Sequence, residues 1–222
     1  MEEVKLDNWE IENVEDLISS IEEMFHIKFH SEELINVLNF DELSNAVVDK
    51  IQLRNVDSCT KQQAFYKIRK VFDKIGIKDK NLLTLKHELE DLLPRKTRKQ
   101  LVSGIEQELG FKINLIEPPR ILVRTLFYGV LISFFWLFIK WQIGFIGIVI
   151  FIIGLNIANR IGNELRVESI KELVELITRE NYLKVRSEQG TINRKELKLI
   201  ILDWFSDKLE MNKNELNKAR FV

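Results

Sequence analysis

Apolar residues recur at helical spacing along most of this chain. Phe65, Ile68, Val71, Phe72 and Ile75 form one stripe, and Ile170, Leu173, Val174 and Ile177 form another, with the period of an amphipathic helix. No run of period-two alternation is convincing, so the chain outside its central segment reads as all-α. Start signals recur along it. Asn13-x-x-Asp16, Asn39-x-x-Glu42, Thr60-x-x-Gln63, Ser169-x-x-Glu172 and Asn193-x-x-Glu196 resemble capping boxes, in which two side chains satisfy the backbone N–H groups that open a helix.

In the centre the polar face disappears. Residues 121–158, "ILVRTLFYGVLISFFWLFIKWQIGFIGIVIFIIGLNIA", are apolar apart from Arg124, Lys140 and a few neutral polar groups. One straight helix would exceed about 50 Å, against a hydrocarbon core of about 30 Å. Lys140, Gln142 and Gly144 offer a turn, which predicts two helices over about 125–139 and 143–158. Snorkelling by Arg124 and Lys140, with Tyr128, Trp136 and Trp141 near the interfaces, extends their reach. Arg120, Arg124, Arg160 and Arg166 flank the outer ends. The positive-inside rule then puts both soluble parts in the cytoplasm, at the inner membrane of a bacterial-type cell. The competing readings are a buried soluble hairpin and one that re-enters without crossing.

Segments of the chain repeat. "LISSIEEMFHIKF" (17–29) returns eighty-four positions later as "LVSGIEQELGFKI" (101–113). "FYKIRKVFDKIGIKDKNLL" (65–83) matches "LIILDWFSDKLEMNKNEL" (199–216), with Phe65 on Leu199, Val71 on Phe205 and Ile77 on Met211. More weakly, "NFDELSNAVVDKI" (39–51) matches "RVESIKELVELIT" (166–178). These units are too few and too unequal for a solenoid.

"KIRKVFDKIGIKDKNLLTLKHELEDLLP" (67–94) resembles the first helix and long loop of acyl carrier proteins, and 17–51 resembles their second helix through to their last. The resemblance implies two small acyl-carrier-like four-helix bundles around the hairpin. Residues 61–116 and 166–182 make one, with the hairpin inserted; 8–52 and 194–222 make the other, circularly permuted, in one chain or by helix exchange in a homodimer. A carrier holds phosphopantetheine on a Ser opening its second helix. Arg95 or Lys96 stands there in one copy and a position near Ile11 in the other, so no cofactor is expected.

Net charge is −1 overall, yet residues 1–57 hold four Lys/Arg against fifteen Asp/Glu, and 58–120 hold fourteen against eight. The acidic part suits a basic partner, with Glu22 and Glu23 as candidate docking residues; the basic part suits an anionic lipid or an acidic protein. "RKTRK" (95–99) offers Arg95, Lys96, Arg98 and Lys99 as an anion or lipid-headgroup contact near a helix start. The competing reading is a solvated basic face that orients insertion. Cys59 is the only cysteine, which rules out an internal disulfide; it is either a reactive thiol at a helix start or an inert one. His26 and His30 are spaced i, i+4, but Lys28 intervenes and no third ligand is evident, so no metal is expected. His87 reads as a surface or packing residue. The N-terminal "MEEVKLDNWEIENVEDL" has no basic and apolar run of the signal-peptide kind. No phosphate-binding glycine loop, nucleophile elbow or paired-carboxylate motif is present, and the basic stretch lacks the interleaved aromatics of a nucleic-acid site. The expectation is a non-enzymatic, membrane-anchored binding or adaptor protein. Its rivals are an immunity-type protein that neutralises a toxin at the membrane and a carrier modified at an unrecognised residue.

Overall fold

The computed structural model describes residues 4–6 and 8–221, and the chain is mostly helical. Its helices are α1 (Asn8–Phe25), α2 (Phe40–Lys50), α3 (Thr60–Lys74), α4 (Leu89–Leu92), α5 (Arg98–Leu109), α6 (Arg120–Trp136), α7 (Trp141–Ile161), α8 (Ile170–Glu180), α9 (Tyr182–Val185), α10 (Arg194–Lys208) and α11 (Lys213–Lys218). Strands β1 (Val4–Lys5), β2 (Arg54–Asn55), β3 (Ile116–Glu117), β4 (Glu164–Leu165), β5 (Thr191–Ile192) and β6 (Ala219–Arg220) have two residues each. They form parallel pairs β1–β6 and β2–β5 and an antiparallel pair β3–β4. Two residues are too few to show alternation, so the sequence pattern carries no trace of them. The chain divides into two compact units, one running to Ile68 and resuming at Val174, the other spanning Arg69–Leu173.

The first unit is a helical bundle with one apolar core. Val14, Leu17, Ile21 and Phe25 of α1 meet Phe40, Leu43 and Val47 of α2, and Leu197, Ile201 and Phe205 of α10. Phe40 sits at its centre, 1 % exposed, with its ring 5.0 Å from Phe205 and 4.8 Å from Phe221. The cap at α2 is the one its sequence indicates: Asn39 Oδ1 accepts from Glu42 N, and Glu42 Oε2 accepts from Leu38 N. Two other capping patterns work differently. Asn13 lies inside α1, which starts at Asn8. Asn193 does cap α10, but the Glu196 carboxylate turns away and accepts from Thr60 N and Lys61 N, capping α3 across the bundle. The Lys50 ammonium, 2.5 Å from Glu33, holds that carboxyl below the ordinary range and ties the 3-10 turn Ser31–Glu33 to α2.

Arg186 organises the β2–β5 end of this bundle. It is 2 % exposed, and its guanidinium donates to Thr191 Oγ1, Thr60 Oγ1, Ser58 Oγ, Ser58 O and Val56 O. All five acceptors are neutral. The Tyr182 ring lies 5.9 Å from the guanidinium carbon and adds a cation–π contact.

In the second unit, Phe72, Leu83, Leu89, Leu93, Val102, Ile105, Ile113, Leu115, Ile170 and Leu173 are buried. Ser169 caps α8 by accepting from Glu172 N, and Leu89 N donates to Glu168 O. The hairpin α6–α7 enters through β3 and leaves through β4. Ile116 pairs with Leu165 and Glu117 with Glu164, so the chain returns to the point from which it left. Both helices begin earlier than the apolar pattern alone places them; α6 ends sooner, at Trp136, and α7 runs on to Ile161. Pro119, with φ −55°, supplies the start of α6, because a proline ring needs no N–H donor there. The turn falls at 137–140, where the N–H groups of Leu137, Phe138 and Ile139 donate three residues back. Gly144 therefore lies inside α7, not in the turn. A Cβ there would stand 2.5 Å from Leu137 N, so glycine is what lets the two helices close. Trp141–Ile161 is long and apolar enough to cross a membrane by length and composition, with mean hydropathy 2.1.

The repeated segments share turn geometry in detail. Glu22 Oε1 accepts from Phe29 N at 2.6 Å, and Glu106 Oε1 accepts from Ile113 N at 2.9 Å, eighty-four positions apart. Each helix ends on a left-handed residue, His26 (φ 53°) and Gly110 (φ 78°). The α3 and α10 ends agree likewise. Gly76 and Glu210 are both left-handed, Ile77 N donates to Phe72 O, and Met211 N donates to Ser206 O. For the third pair the caps set a different register from the sequence match. Leu38–Asn39–Glu42 corresponds to Glu168–Ser169–Glu172, which places Phe40 on Ile170 instead of on Val167.

Candidate functional site

The basic run 95–99 opens α5 on the second unit, and most of it grips the exit of the hairpin. Arg98 is 1 % exposed. Its Nε donates to Leu93 O at 3.0 Å, one terminal nitrogen to Asn163 O at 2.6 Å, and the other to Glu90 Oε2 at 2.5 Å. Arg95 pairs with Glu164, and its carbonyl accepts from Asn163 Nδ2. Lys99 Nζ donates to Arg160 O at 3.0 Å, where the last carbonyls of α7 carry negative partial charge. Lys96 is exposed. The four cations are thus divided between contacts to the hairpin exit and solvent. Arg98 has no face toward solvent, and Arg95 and Lys99 hold residues 160–164. A signal for Arg98 was present in the sequence, because it shares a helical stripe with the buried Val102 and Ile105 at spacings of four and three.

The proposed docking pair also separates. Glu22 is half-buried and engaged with Phe29 N, whereas Glu23 is exposed. Glu23 belongs to a wider acidic face of α1 with Glu12, Glu15 and Asp16, all exposed and without a cation partner among the described residues. At the matching positions of the second repeat stand Lys96, Lys99, Gln100 and Gln107. Of these, Lys96 precedes α5, and Lys99, Gln100 and Gln107 lie within it.

His26 ends α1 in the left-handed conformation and His30 caps the 3-10 turn; among the described residues no group of three His, Cys, Asp or Glu stands ready for a metal. His87 Nδ1 accepts from Thr84 N at 3.1 Å and shapes a loop. Cys59 Sγ is exposed and lies 3.5 Å from Glu196 Oε1. The hydroxyl that opens α5 belongs to Thr97, exposed and 3.5 Å from Pro94 O.

A cleft that the sequence reading did not single out lies at the outer end of the hairpin. It measures about 530 Å³ and is lined by Arg120, Val123, Arg124 and Phe127 of α6, Leu155 and Asn159 of α7, and the entering Glu117 and Pro118. The α6 residues follow i, i+3, i+4, i+7 and so share one face. Arg120 Nε donates to Glu117 Oε1 at 3.1 Å. Arg124 and Asn159 are exposed and make no hydrogen bond or ion pair with the other described residues.

Compared with known protein families, with curated proteins and with solved structures, the chain matches none.

Proposed function

We propose that this chain is a non-enzymatic, membrane-anchored binding protein, built from two degenerate acyl-carrier-like bundles on a hairpin that spans the bilayer. The observation that carries the reading is the surface of that hairpin. Phe127, Ile132, Phe135, Phe138, Trp141, Phe145, Ile150 and Ile157 are among its exposed side chains, and water-soluble monomers rarely leave a continuous apolar surface of that extent open. At about 1.5 Å per residue, the 21 residues of α7 reach across a hydrocarbon core of about 30 Å. Arg120 and Arg160, at the outer ends, suit the headgroup zone on the cytoplasmic side.

The matching turns of the repeats support a common bundle form, and the α1 face supports its use in docking. Carboxylates at positions 12, 15, 16 and 23, exposed and free of cations among the described residues, suit a partner with a basic surface. Reversing Glu12, Glu15 and Glu23 together to Lys is expected to abolish stoichiometric recovery of that partner from detergent-solubilised native membranes. The Glu33→Gln variant, outside the face, is expected to retain it. Recovery unchanged by the triple reversal would refute the docking role. The identity of the protein recovered separates an adaptor from an immunity-type role, which requires a toxin.

A second reading has one observation in its favour: Thr97 presents an exposed hydroxyl at the start of α5. Intact mass tests it directly. A carrier shows added mass at Thr97, and a binding protein shows the mass of the unmodified chain.

A further inference from the structure

We infer that the cleft at the outer end of the hairpin is a phospholipid site that holds the phosphodiester of an anionic lipid on Arg124 and Asn159. The inference rests on the hairpin lying in a membrane. With Arg120 neutralised by Glu117, the charged lining of the cleft leaves one net positive charge, that of Arg124. A lipid phosphodiester carries one negative charge. Arg124 lies four residues beyond Arg120, about 6 Å deeper along α6, where an unpaired guanidinium is costly and a phosphate oxygen is the natural partner. The Asn159 side-chain amide, on the facing helix, adds a neutral donor. Toward the hairpin turn the wall becomes apolar through Phe127 and Leu155, so the cleft is cationic at the headgroup end and greasy toward the bilayer centre. That polarity matches a phospholipid in orientation as well as in charge.

The experiment uses the full chain in two steps. Flotation with phosphatidylcholine vesicles tests the membrane reading by itself. Native mass spectrometry in mild detergent then compares retention of phosphatidylglycerol, phosphatidylcholine and inorganic phosphate. The wild-type chain is expected to retain one phosphatidylglycerol in preference to phosphatidylcholine. Arg124→Gln is expected to weaken that retention about tenfold, the loss of one charge-assisted contact, while Arg124→Lys keeps part of it. Lys140→Gln, which removes one charge from the same hairpin at its turn, is expected to retain the lipid fully, and matching circular dichroism of the variants excludes misfolding. Failure to float overturns the membrane reading. Flotation without a phosphatidylglycerol preference, or a preference that survives Arg124→Gln, overturns the lipid site alone. Inorganic phosphate binding as tightly as the lipid overturns the assignment to a phospholipid.

Discussion

Replacing Arg98 by methionine is expected to lower the stability of the full chain by about 3 kcal/mol, the range seen when one partner of a buried polar network is removed. Methionine fills much of the volume but offers no donor to Leu93 O or Asn163 O, which Arg98 bonds from a nearly solvent-free position. Glu90→Gln makes the contrast. Its carboxylate is 66 % exposed and so screened by water, the glutamine keeps an oxygen that accepts from Arg98, and a change below about 1 kcal/mol is expected. Chemical denaturation in detergent, followed by circular dichroism, measures both. Hydrogen exchange adds location: Arg98→Met is expected to speed exchange at the exit of α7 and at β4. Equal effects of the two variants would show that the Glu90 pair, and not the carbonyl network, carries the stability.

Phe40→Ala is expected to cost about 4 kcal/mol, the middle of the range for a buried aromatic truncated to alanine. The ring is 1 % exposed and joins α2 to Phe205 of α10 and to Phe221 beside β6. Its removal leaves a cavity where three segments meet, and rigid helices collapse into such a space only in part. Phe40→Leu keeps most of the volume and is expected to lose only about 1 to 1.5 kcal/mol. Denaturation midpoints of the two variants in detergent give the ratio. A Phe40→Ala loss no larger than that of Phe40→Leu would mean that the core there is loosely packed.

Helical character was legible because it is written at short range. The stripes at Phe65–Ile75 and Ile170–Ile177 fall on α3 and α8, and the Asn39/Glu42 and Ser169/Glu172 pairs make the bonds that their spacing indicates. Misreadings arose where a tertiary partner competed. The Glu196 carboxylate caps α3, not its own helix, because the Thr60 and Lys61 N–H groups are brought to it from elsewhere in the bundle. Asn13 looked like a cap only because Asn8 opens the helix five residues sooner. Arg98 looked like part of a solvated run because charge is local in sequence whereas burial is not. The cleft was half legible. Arg120, Val123, Arg124 and Phe127 announce a shared face, but Leu155 and Asn159 join it only through the closure of the hairpin, which depends on close approach at Gly144 and Gly147.

The central claim is that the hairpin anchors the protein in a bilayer. Flotation of native membranes after alkaline carbonate treatment tests it most directly, since that treatment strips proteins held by charge and leaves those held by apolar spans. The full chain is expected to rise with the lipid. A chain left in the soluble fraction at the bottom of the gradient would contradict it.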